Sequence, residues 1–108
     1  MNVDVVCVGD PFLDLIFLGL PAMPALGEER LANRLKIVPG GMGNVAFALR
    51  RLGLDAVICG PVGGDLAGRL LAELMADVGV PWHGRPAEAT PVTVALPVDG
   101  DRALVSVM

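Results

Sequence analysis

The chain has 108 residues, of which 54% are hydrophobic and 19% charged, and eight basic against twelve acidic side chains give a formal net charge of −4. This length predicts one domain or a piece of one, the hydrophobic content excludes disorder, and the acidic balance disfavours nucleic acid and anionic membrane surfaces as partners. The mean hydropathy of +0.64 is high for a free-standing domain of this size, so we expect part of a larger fold or a sizeable apolar interface.

The beginning of the chain lacks the pattern of a secretory signal, because its first basic side chain is Arg30. The apolar stretch from Val3 to Leu26 is interrupted by aspartates and prolines, whereas a membrane helix needs ~20 nearly uninterrupted apolar residues. Cys7 and Cys59 each lie in an apolar run, which indicates buried thiols in a reducing cytoplasm. With a single histidine in the chain, we predict no metal site.

The first third of the chain predicts a buried strand followed by an irregular excursion. Residues 3–8 (VDVVCV) form a short β-branched run that is typical of a buried strand. Gly9-Asp10-Pro11 interrupts it, and residues 12–20 (FLDLIFLGL) are apolar again. Residues 21–29 predict a loop rich in proline and small residues, and residues 31–38 predict a half-exposed strand.

Strands and helices then alternate. The pattern predicts a glycine-rich turn at residues 39–43, a helix at 44–52, a buried strand at 56–59, a second turn at 60–64 and a second helix at 66–78. The first helix has an apolar stripe at i, i+3, i+4 and i+7, formed by Val45, Ala48, Leu49 and Leu52. Asp65 is a good N-cap for the second helix, and Gly53 and Gly79 stand where a left-handed residue ends a helix. This alternation predicts a parallel sheet with covering helices.

The end of the chain predicts a hairpin. Two β-rich runs, residues 92–98 and 103–107, flank Asp99-Gly100-Asp101-Arg102, and Asp-Gly between such runs is a strong turn signal. Together with the excursion at residues 12–38, the hairpin predicts a small side sheet beside the α/β core. Because only two or three core strands are present and Met108 comes within or just after a strand, we expect that the sequence is cut.

Two features indicate where a ligand binds. The segment PGGMGNVA at residues 39–46 exposes backbone N–H groups before a helix and lets a ligand approach the main chain. Asp14 is embedded in an apolar run, where a carboxylate is costly unless it faces water or accepts hydrogen bonds, as from the hydroxyl groups of a ligand. In an open α/β sheet the two features meet at the carboxyl edge of the strands. The plainer alternatives are an ordinary glycine turn and a solvated edge-strand aspartate.

A dinucleotide-binding domain is an alternative interpretation of the glycine segment. Residues 41–46 match G-x-G-x-x-A. That fingerprint calls for an acidic residue about 20 positions further on, at the end of the next strand, but the next strand ends at Gly60-Pro61 and Asp65 is better used as a helix cap. The fingerprint also usually follows the first buried strand, which here is followed by GDPFLD. We therefore disfavour this alternative.

The order of the motifs resembles the ribokinase/PfkB family of carbohydrate kinases. The motifs are VGDPFLD, GE, PGGMGNVAFALRRLG, GPVGGDLAG, GV and a hairpin ending in DGDR. The family's glycine signature falls on Gly40, Gly41, Asn44, Ala46, Gly53 and Gly63. The resemblance covers essentially the whole chain but only the N-terminal part of such a kinase.

That resemblance implies an α/β, ribokinase-like fold, with a parallel sheet, covering helices and a small β-sheet lid, incomplete in this chain. Residues 1–108 would form the N-terminal segment of one domain, with a core at about 1–11 and 39–84 and lid strands at about 12–38 and 90–107. The lid closes over the sugar and in many members also forms a dimer contact, so we expect a homodimer through the lid.

The resemblance also assigns roles to site residues. Asp14 would accept hydrogen bonds from sugar hydroxyls, the backbone at Gly40 and Gly41 would line the sugar pocket, and Asn44 would offer its amide to another hydroxyl. The family's catalytic base and nucleotide pocket lie far downstream, so ATP and Mg²⁺ would bind there. We expect no catalytic, cofactor-binding or metal-binding residue in this chain.

Several residues depart from the family pattern. Met42 stands where a small residue is usual, and it either narrows the pocket or packs beside it. The pair Glu28-Glu29 stands where the phosphosugar branch tends to place basic residues, which favours a neutral sugar or a nucleoside. Four cations of the lid favour a phosphorylated sugar instead, unless they form a solvated face: Arg30, Arg34, Lys36 and Arg102. Gly63-Gly64-Asp65 comes too early to be the family's catalytic motif, and we assign Asp65 to helix capping.

We therefore expect the sugar-binding N-terminal part of an ATP-dependent carbohydrate kinase, which transfers the γ-phosphoryl group of ATP to a hydroxyl of a sugar or nucleoside. The segment alone is expected to be inactive. A non-catalytic truncated relic or a dimerising lid module is the first alternative, and a dinucleotide-binding domain is the second. The identity of the sugar stays open.

Overall fold

A computed structural model of the chain describes residues 2–84 and 86–108. In chain order its elements are β1 (Val5–Val8), β2 (Pro11–Leu18), β3 (Arg34–Gly41), α1 (Met42–Arg51), β4 (Ala56–Cys59), β5 (Val62–Gly63), α2 (Leu66–Asp77), β6 (Trp82–His83), β7 (Pro86–Ala87), β8 (Val92–Val98) and β9 (Asp101–Val107). Neither of these helices is long and apolar enough to cross a membrane.

The α/β core contains a parallel sheet in the order β1-β4-β6. Its strands are the β-branched runs predicted from the sequence, although β1 begins at Val5 rather than at Val3. The sheet packs one face against a cluster of buried residues from both helices and the strands: Cys7, Leu13, Ala46, Ala56, Ile58, Val62, Leu71, Met75 and Val80. Val6 and Val8, on the opposite face of β1, are 55% and 74% exposed.

A second sheet has the order β3-β2-β8-β9. Its strands pair antiparallel, parallel and antiparallel in turn, and β2 lies between β3 and β8. The predicted hairpin is confirmed: Asp99 and Gly100, with φ of 52° and 76°, form a two-residue turn between β8 and β9. Positive φ at both positions is the conformation that Asp-Gly favours in tight hairpins. The finer division of the chain into core and lid ranges stays a prediction.

The predicted glycine-rich turn at residues 39–43 is wrong. Strand β3 continues through Gly41, because Gly40 and Gly41 pair with Phe12 and Pro11 of β2. The chain then enters α1 at Met42, two residues earlier than predicted. Gly41 allows this abrupt change because its φ of +54° is readily adopted only by glycine. The second predicted turn, residues 60–64, likewise contains the short strand β5, which pairs with β7.

The apolar stripe predicted for α1 is also partly wrong. Leu49 packs against the core, but Val45 and Leu52 are exposed. The buried residues of the helix are Gly43 and Ala46. A Cβ atom at Gly43 would lie 2.8 Å from Cβ of Pro39, so the absence of a side chain lets the start of α1 approach β3 closely. The helix is thus packed through small residues rather than through its branched ones.

Asp65 connects α2 to the second sheet. As predicted it caps α2, accepting a hydrogen bond from the Gly68 N–H at 2.9 Å. Its carboxylate also accepts bonds from the backbone N–H and the hydroxyl of Thr90, at 3.1 and 2.9 Å, just before β8 begins. The N–H of Gly63 donates to the same buried hydroxyl at 2.9 Å. Hydrogen bonds, first from the Thr90 N–H, lower the pKa of Asp65.

Candidate functional site

Asp14 and Asn44 face one cleft between the second sheet and α1. The cleft has a volume of about 440 Å³ and is lined by Asp14, Ile16, Lys36, Val38, Pro39, Asn44, Phe47, Ala48, Arg51 and Arg102. Asp14 pairs across the ladder with Val38 of β3 and Thr93 of β8. The alternation of side chains along these strands places Asp14, Ile16, Lys36 and Val38 on the same face of the sheet.

Gly40 provides the space that the Asp14 carboxylate occupies. A Cβ atom built at Gly40 would overlap both carboxylate oxygens of Asp14. No positive φ constrains this glycine, so space is the physical reason for glycine here. The backbone of Gly40 is buried directly beside the candidate ligand-binding carboxylate.

Burial raises the pKa of Asp14, and the positive charge of Arg102 lowers it in part. Removing the carboxylate from water disfavours its charged form, and within the described ranges no hydrogen bond compensates for this. A half-buried carboxylate of this kind binds hydroxyl donors well, because a charge-assisted hydrogen bond is stronger where water competes less.

The other predicted site residues lie at the beginning of α1. Asn44 is in the first turn of the helix and is exposed to the cleft. Gly41 is the N-cap residue, and a Cβ atom there would lie 2.6 Å from the Asp10 carbonyl oxygen. The structure thus brings Asp14 and Asn44 together in the cleft, whereas neither Gly40 nor Gly41 is among its lining residues. Gly40 lies behind the Asp14 carboxylate, and Gly41 lies at the adjoining strand-to-helix junction.

The structure decides between the two interpretations of Met42. Its side chain packs against the core, and a Cβ atom at Gly9 would lie 2.6 Å from its Cγ. Met42 does not line the cleft. It therefore packs beside the site instead of narrowing it.

The far end of α1 also contributes to the cleft, which was not predicted from the sequence. Phe47 and Arg51 line the cleft together with Asn44, and the guanidinium carbon of Arg51 lies 5.5 Å from the centre of the Phe47 ring. These positions are i, i+3 and i+7 on one face of a helix. That spacing is visible in the sequence, but the apolar stripe predicted the buried face of the helix and gave no sign of which residues face a ligand.

The site's residues do not form a metal centre. Across residues 2–84 and 86–108, no three His, Cys, Asp or Glu side chains come together in a group that could hold a metal ion. No residue of this chain is assigned to Mg²⁺. The Asp14 carboxylate and the Asn44 amide, which face the same cleft, are suited to a ligand with several hydroxyl groups.

The parallel core sheet with its helices and the separate four-stranded sheet define an α/β, ribokinase-like fold, as predicted. This arrangement also disfavours the dinucleotide-binding alternative, because the glycine segment follows an antiparallel strand of the second sheet and not a strand of the parallel sheet. Residues 3–105 match the pfkB family of carbohydrate kinases. The chain belongs to this family.

Known proteins support the assignment. The chain is 35% identical over 104 residues to the bifunctional protein HldE of Hahella chejuensis, covering 90% of this chain and 21% of HldE. It is 32% identical over 102 residues to Fructokinase-1 of Zea mays, covering 91% and 30% of the two chains. Its structure resembles that of the ribokinase from Cryptococcus neoformans in complex with ADP, with a TM-score of 0.72, 26% identity and coverage of 97% and 34%. The chain thus spans between about a fifth and a third of the length of these relatives.

Proposed function

We propose that this chain is the sugar-binding part of an ATP-dependent carbohydrate kinase. The observation that carries the proposal is that Asp14 and Asn44 line the same cleft. Gly40, which has no side chain, leaves the space that the Asp14 carboxylate occupies. Membership of the pfkB family supports phosphoryl transfer to a carbohydrate, and the ADP complex of the Cryptococcus ribokinase supports an adenine nucleotide as the donor.

In the proposed reaction, a sugar hydroxyl oxygen forms a bond to the γ-phosphorus of ATP. The bond between that phosphorus and the oxygen bridging it to the β-phosphate breaks, and ADP leaves with the electron pair. The hydroxyl proton passes to a general base that lies outside this chain, as the family resemblance implies. The contribution of this chain is to bind and orient the sugar, which can supply a large part of such a rate acceleration.

Substitution of the two polar side chains tests the proposal. In the protein expressed from its complete reading frame, we expect Asp14→Ala to raise the KM for the sugar about 10- to 100-fold, because a hydrogen bond to a charged group contributes about 1.5–3 kcal/mol. Asn44→Ala should raise the KM about 3- to 10-fold, as a neutral hydrogen bond contributes less. Steady-state kinetics with saturating ATP measures both effects.

The matched control is Asp77→Ala, which removes an exposed carboxylate at the end of α2 and should leave the KM unchanged. Unaltered kinetics in both site variants would refute the site assignment. A complete protein that binds sugar or self-associates without transferring phosphate would favour the alternative of a non-catalytic relic or a dimerising lid module.

A second test uses the glycine beside Asp14. Gly40→Ala places a methyl group where the carboxylate now lies, so we expect Asp14 to be displaced and kcat/KM to fall at least as far as in Asp14→Ala. Gly64→Ala is the matched control, because a Cβ atom there meets open space and the position has no positive φ. Equal activity of the two alanine variants would show that the position of Asp14 does not matter for catalysis.

We further propose that the second sheet acts as a lid and as a homodimer contact. Large apolar side chains are exposed on one face of its outer strands, namely Leu35, Ile37, Val105 and Val107, and exposed apolar patches mark association surfaces. Light scattering of the complete protein would detect the dimer.

Cys7 and Cys59 are both free thiols, which supports a reducing, cytoplasmic setting.

A further inference from the structure

Most of the charged residues around the cleft are cations, and two of them, Lys36 and Arg102, are among the lid cations that the sequence sets against a neutral sugar. Besides Asp14, its charged lining residues are three cations, Lys36, Arg51 and Arg102, and we refer to these three as the cation cluster. With one carboxylate and three cations, the lining carries a net charge of +2 within a chain whose net charge is −4. The cleft is therefore a positively charged region of an acidic chain.

The cation cluster is assembled from three separate elements. Lys36 comes from β3, Arg51 is the last residue of α1 and Arg102 is near the start of β9. The Phe47 ring lies beneath the guanidinium group of Arg51 and holds it at the edge of the cleft. Arg102 is close enough to Asp14 to lower the pKa of that carboxyl in part.

The acidic pair that favoured a neutral sugar lies elsewhere. Glu28 forms an ion pair with Arg30, with 2.6 Å between its Oε1 and the arginine Nε, in the segment between β2 and β3. Neither Glu28 nor Glu29 lines the cleft. In the part of the chain that the structure describes, the ion pairs are this one and Arg50–Asp55, and neither involves the cation cluster.

We propose that this cleft binds a carbohydrate that carries an anionic group, either a phosphate or a carboxylate. The inference rests on the proposed function and specifies its substrate class. The sugar's hydroxyls lie against Asp14 and Asn44, and its anionic group lies among the cation cluster. Two of the three cations are arginines, whose planar guanidinium group can donate two parallel hydrogen bonds to either kind of anion. A neutral sugar would leave the excess positive charge of the cleft uncompensated, whereas an anion offsets the mutual repulsion of the three cations.

The experiment compares three substrates with the protein expressed from its complete reading frame. Fructose is the neutral probe, fructose 6-phosphate differs from it only by the phosphate, and 2-keto-3-deoxygluconate carries a carboxylate. We expect kcat/KM for one of the anionic sugars to exceed that for fructose at least tenfold. The anionic sugar that is preferred distinguishes a phosphate from a carboxylate.

Variants of the cation cluster supply the second arm. Arg51→Gln and Arg102→Gln should each raise the KM for the preferred anionic sugar about tenfold, a clearly larger factor than the change in the KM for fructose. The preference should also weaken as salt is raised, because exposed charges are screened. Arg69→Gln is the matched control, since Arg69 is exposed on α2 and outside the cleft; it should alter neither value.

The outcomes separate this inference from the proposed function. Phosphorylation of fructose with a kcat/KM equal to or above that of both anionic sugars would overturn the inference and leave the proposed kinase in place. If no sugar is phosphorylated, the proposed function fails, and calorimetric titration with fructose 6-phosphate and 2-keto-3-deoxygluconate decides the inference. Binding of one of them that Arg102→Gln weakens supports it, and absence of binding of both overturns it.

Discussion

The two sheets of this chain are built in opposite ways. The core strands β1, β4 and β6 have four, four and two residues, yet β4 buries Ala56, Val57 and Ile58 almost completely. The strands of the second sheet have seven or eight residues, but every residue of β9 is exposed. The core is therefore held mainly by side-chain packing, whereas the outer part of the second sheet is held mainly by its ladder of backbone hydrogen bonds.

The cleft lies where these two regions meet. The sheet supplies Asp14, Lys36 and Arg102, and α1 supplies Asn44, Phe47 and Arg51. Among the connections that fix the sheet to the core are the buried side chain of Leu13 and the hydrogen bonds between Asp65 and Thr90. The geometry of the site thus depends on the contacts that position the more exposed second sheet against the tightly packed core.

The largest expected effect tests the difference in packing. Leu71 of α2 is completely buried in the core, so Leu71→Ala should lower the free energy of unfolding by about 2–5 kcal/mol. Val105 of β9 is 68% exposed, and Val105→Thr should change it by no more than about 0.5 kcal/mol. Urea unfolding of the complete protein measures both values.

A large cost for Val105→Thr would contradict the comparison, because it would mean that β9 is covered in the assembled protein. That result would in turn support the proposed homodimer contact through this sheet. Light scattering of the same variant would then show a loss of the dimer, and an unchanged mass would exclude the dimer as the explanation.

A smaller effect is expected at the connection between the regions. Thr90→Val would leave the buried N–H of Gly63 without its acceptor and would remove the hydroxyl that donates to Asp65, while the backbone N–H of residue 90 keeps its bond to that carboxylate. The unsatisfied N–H alone should cost about 1–3 kcal/mol. The control is Thr93→Val, which removes an exposed hydrogen bond between the side chains of Thr93 and Ser106. If Thr93→Val lowers the free energy of unfolding as much as Thr90→Val does, the hydrogen bonds of Thr90 contribute no more to stability than an exposed pair.

The features that local sequence determines were predicted well. The hairpin turn at Asp99-Gly100 and the strand at residues 56–59 follow from local patterns, and so does the role of Asp65 as a helix cap. These features depend on a few neighbouring residues whose conformational preferences agree. The family resemblance and the ribokinase-like fold were likewise confirmed.

Features that depend on distant contacts were predicted poorly. Gly40 and Gly41 were expected in a turn, but pairing with β2 keeps them in a strand. The branched apolar residues of α1 predicted which face of the helix is buried, but the helix buries the face that contains Gly43, through which it packs closely. Lys36 and Arg102 were named from the sequence as cations of the lid, but their meeting with Arg51 could not be predicted, since the three come from elements that only the fold brings together.

The smallest expected effect concerns the stability cost of the site itself. Because burial raises the pKa of Asp14 more than Arg102 lowers it, the folded state favours the protonated carboxyl. The corresponding stability is complete below the ordinary pKa of aspartate, about 4, and is lost as the pH rises through the raised value. At pH 7, Asp14→Asn should therefore raise the Tm slightly, and the difference from the parent protein should shrink as the pH falls toward 4.

The same variant should bind sugar less well, because an amide cannot replace the charged acceptor. A higher Tm together with a higher KM is the signature of a residue kept for binding at some cost to stability, and a merely structural aspartate would lower the Tm instead. Asp77→Asn, at the exposed end of α2, should change neither quantity. If Asp14→Asn lowers the Tm at pH 7, then the attraction between Asp14 and Arg102 outweighs the cost of burial. Asp14 would in that case be a structural partner of Arg102, and the cleft would lose the strained carboxylate on which the proposed sugar site depends.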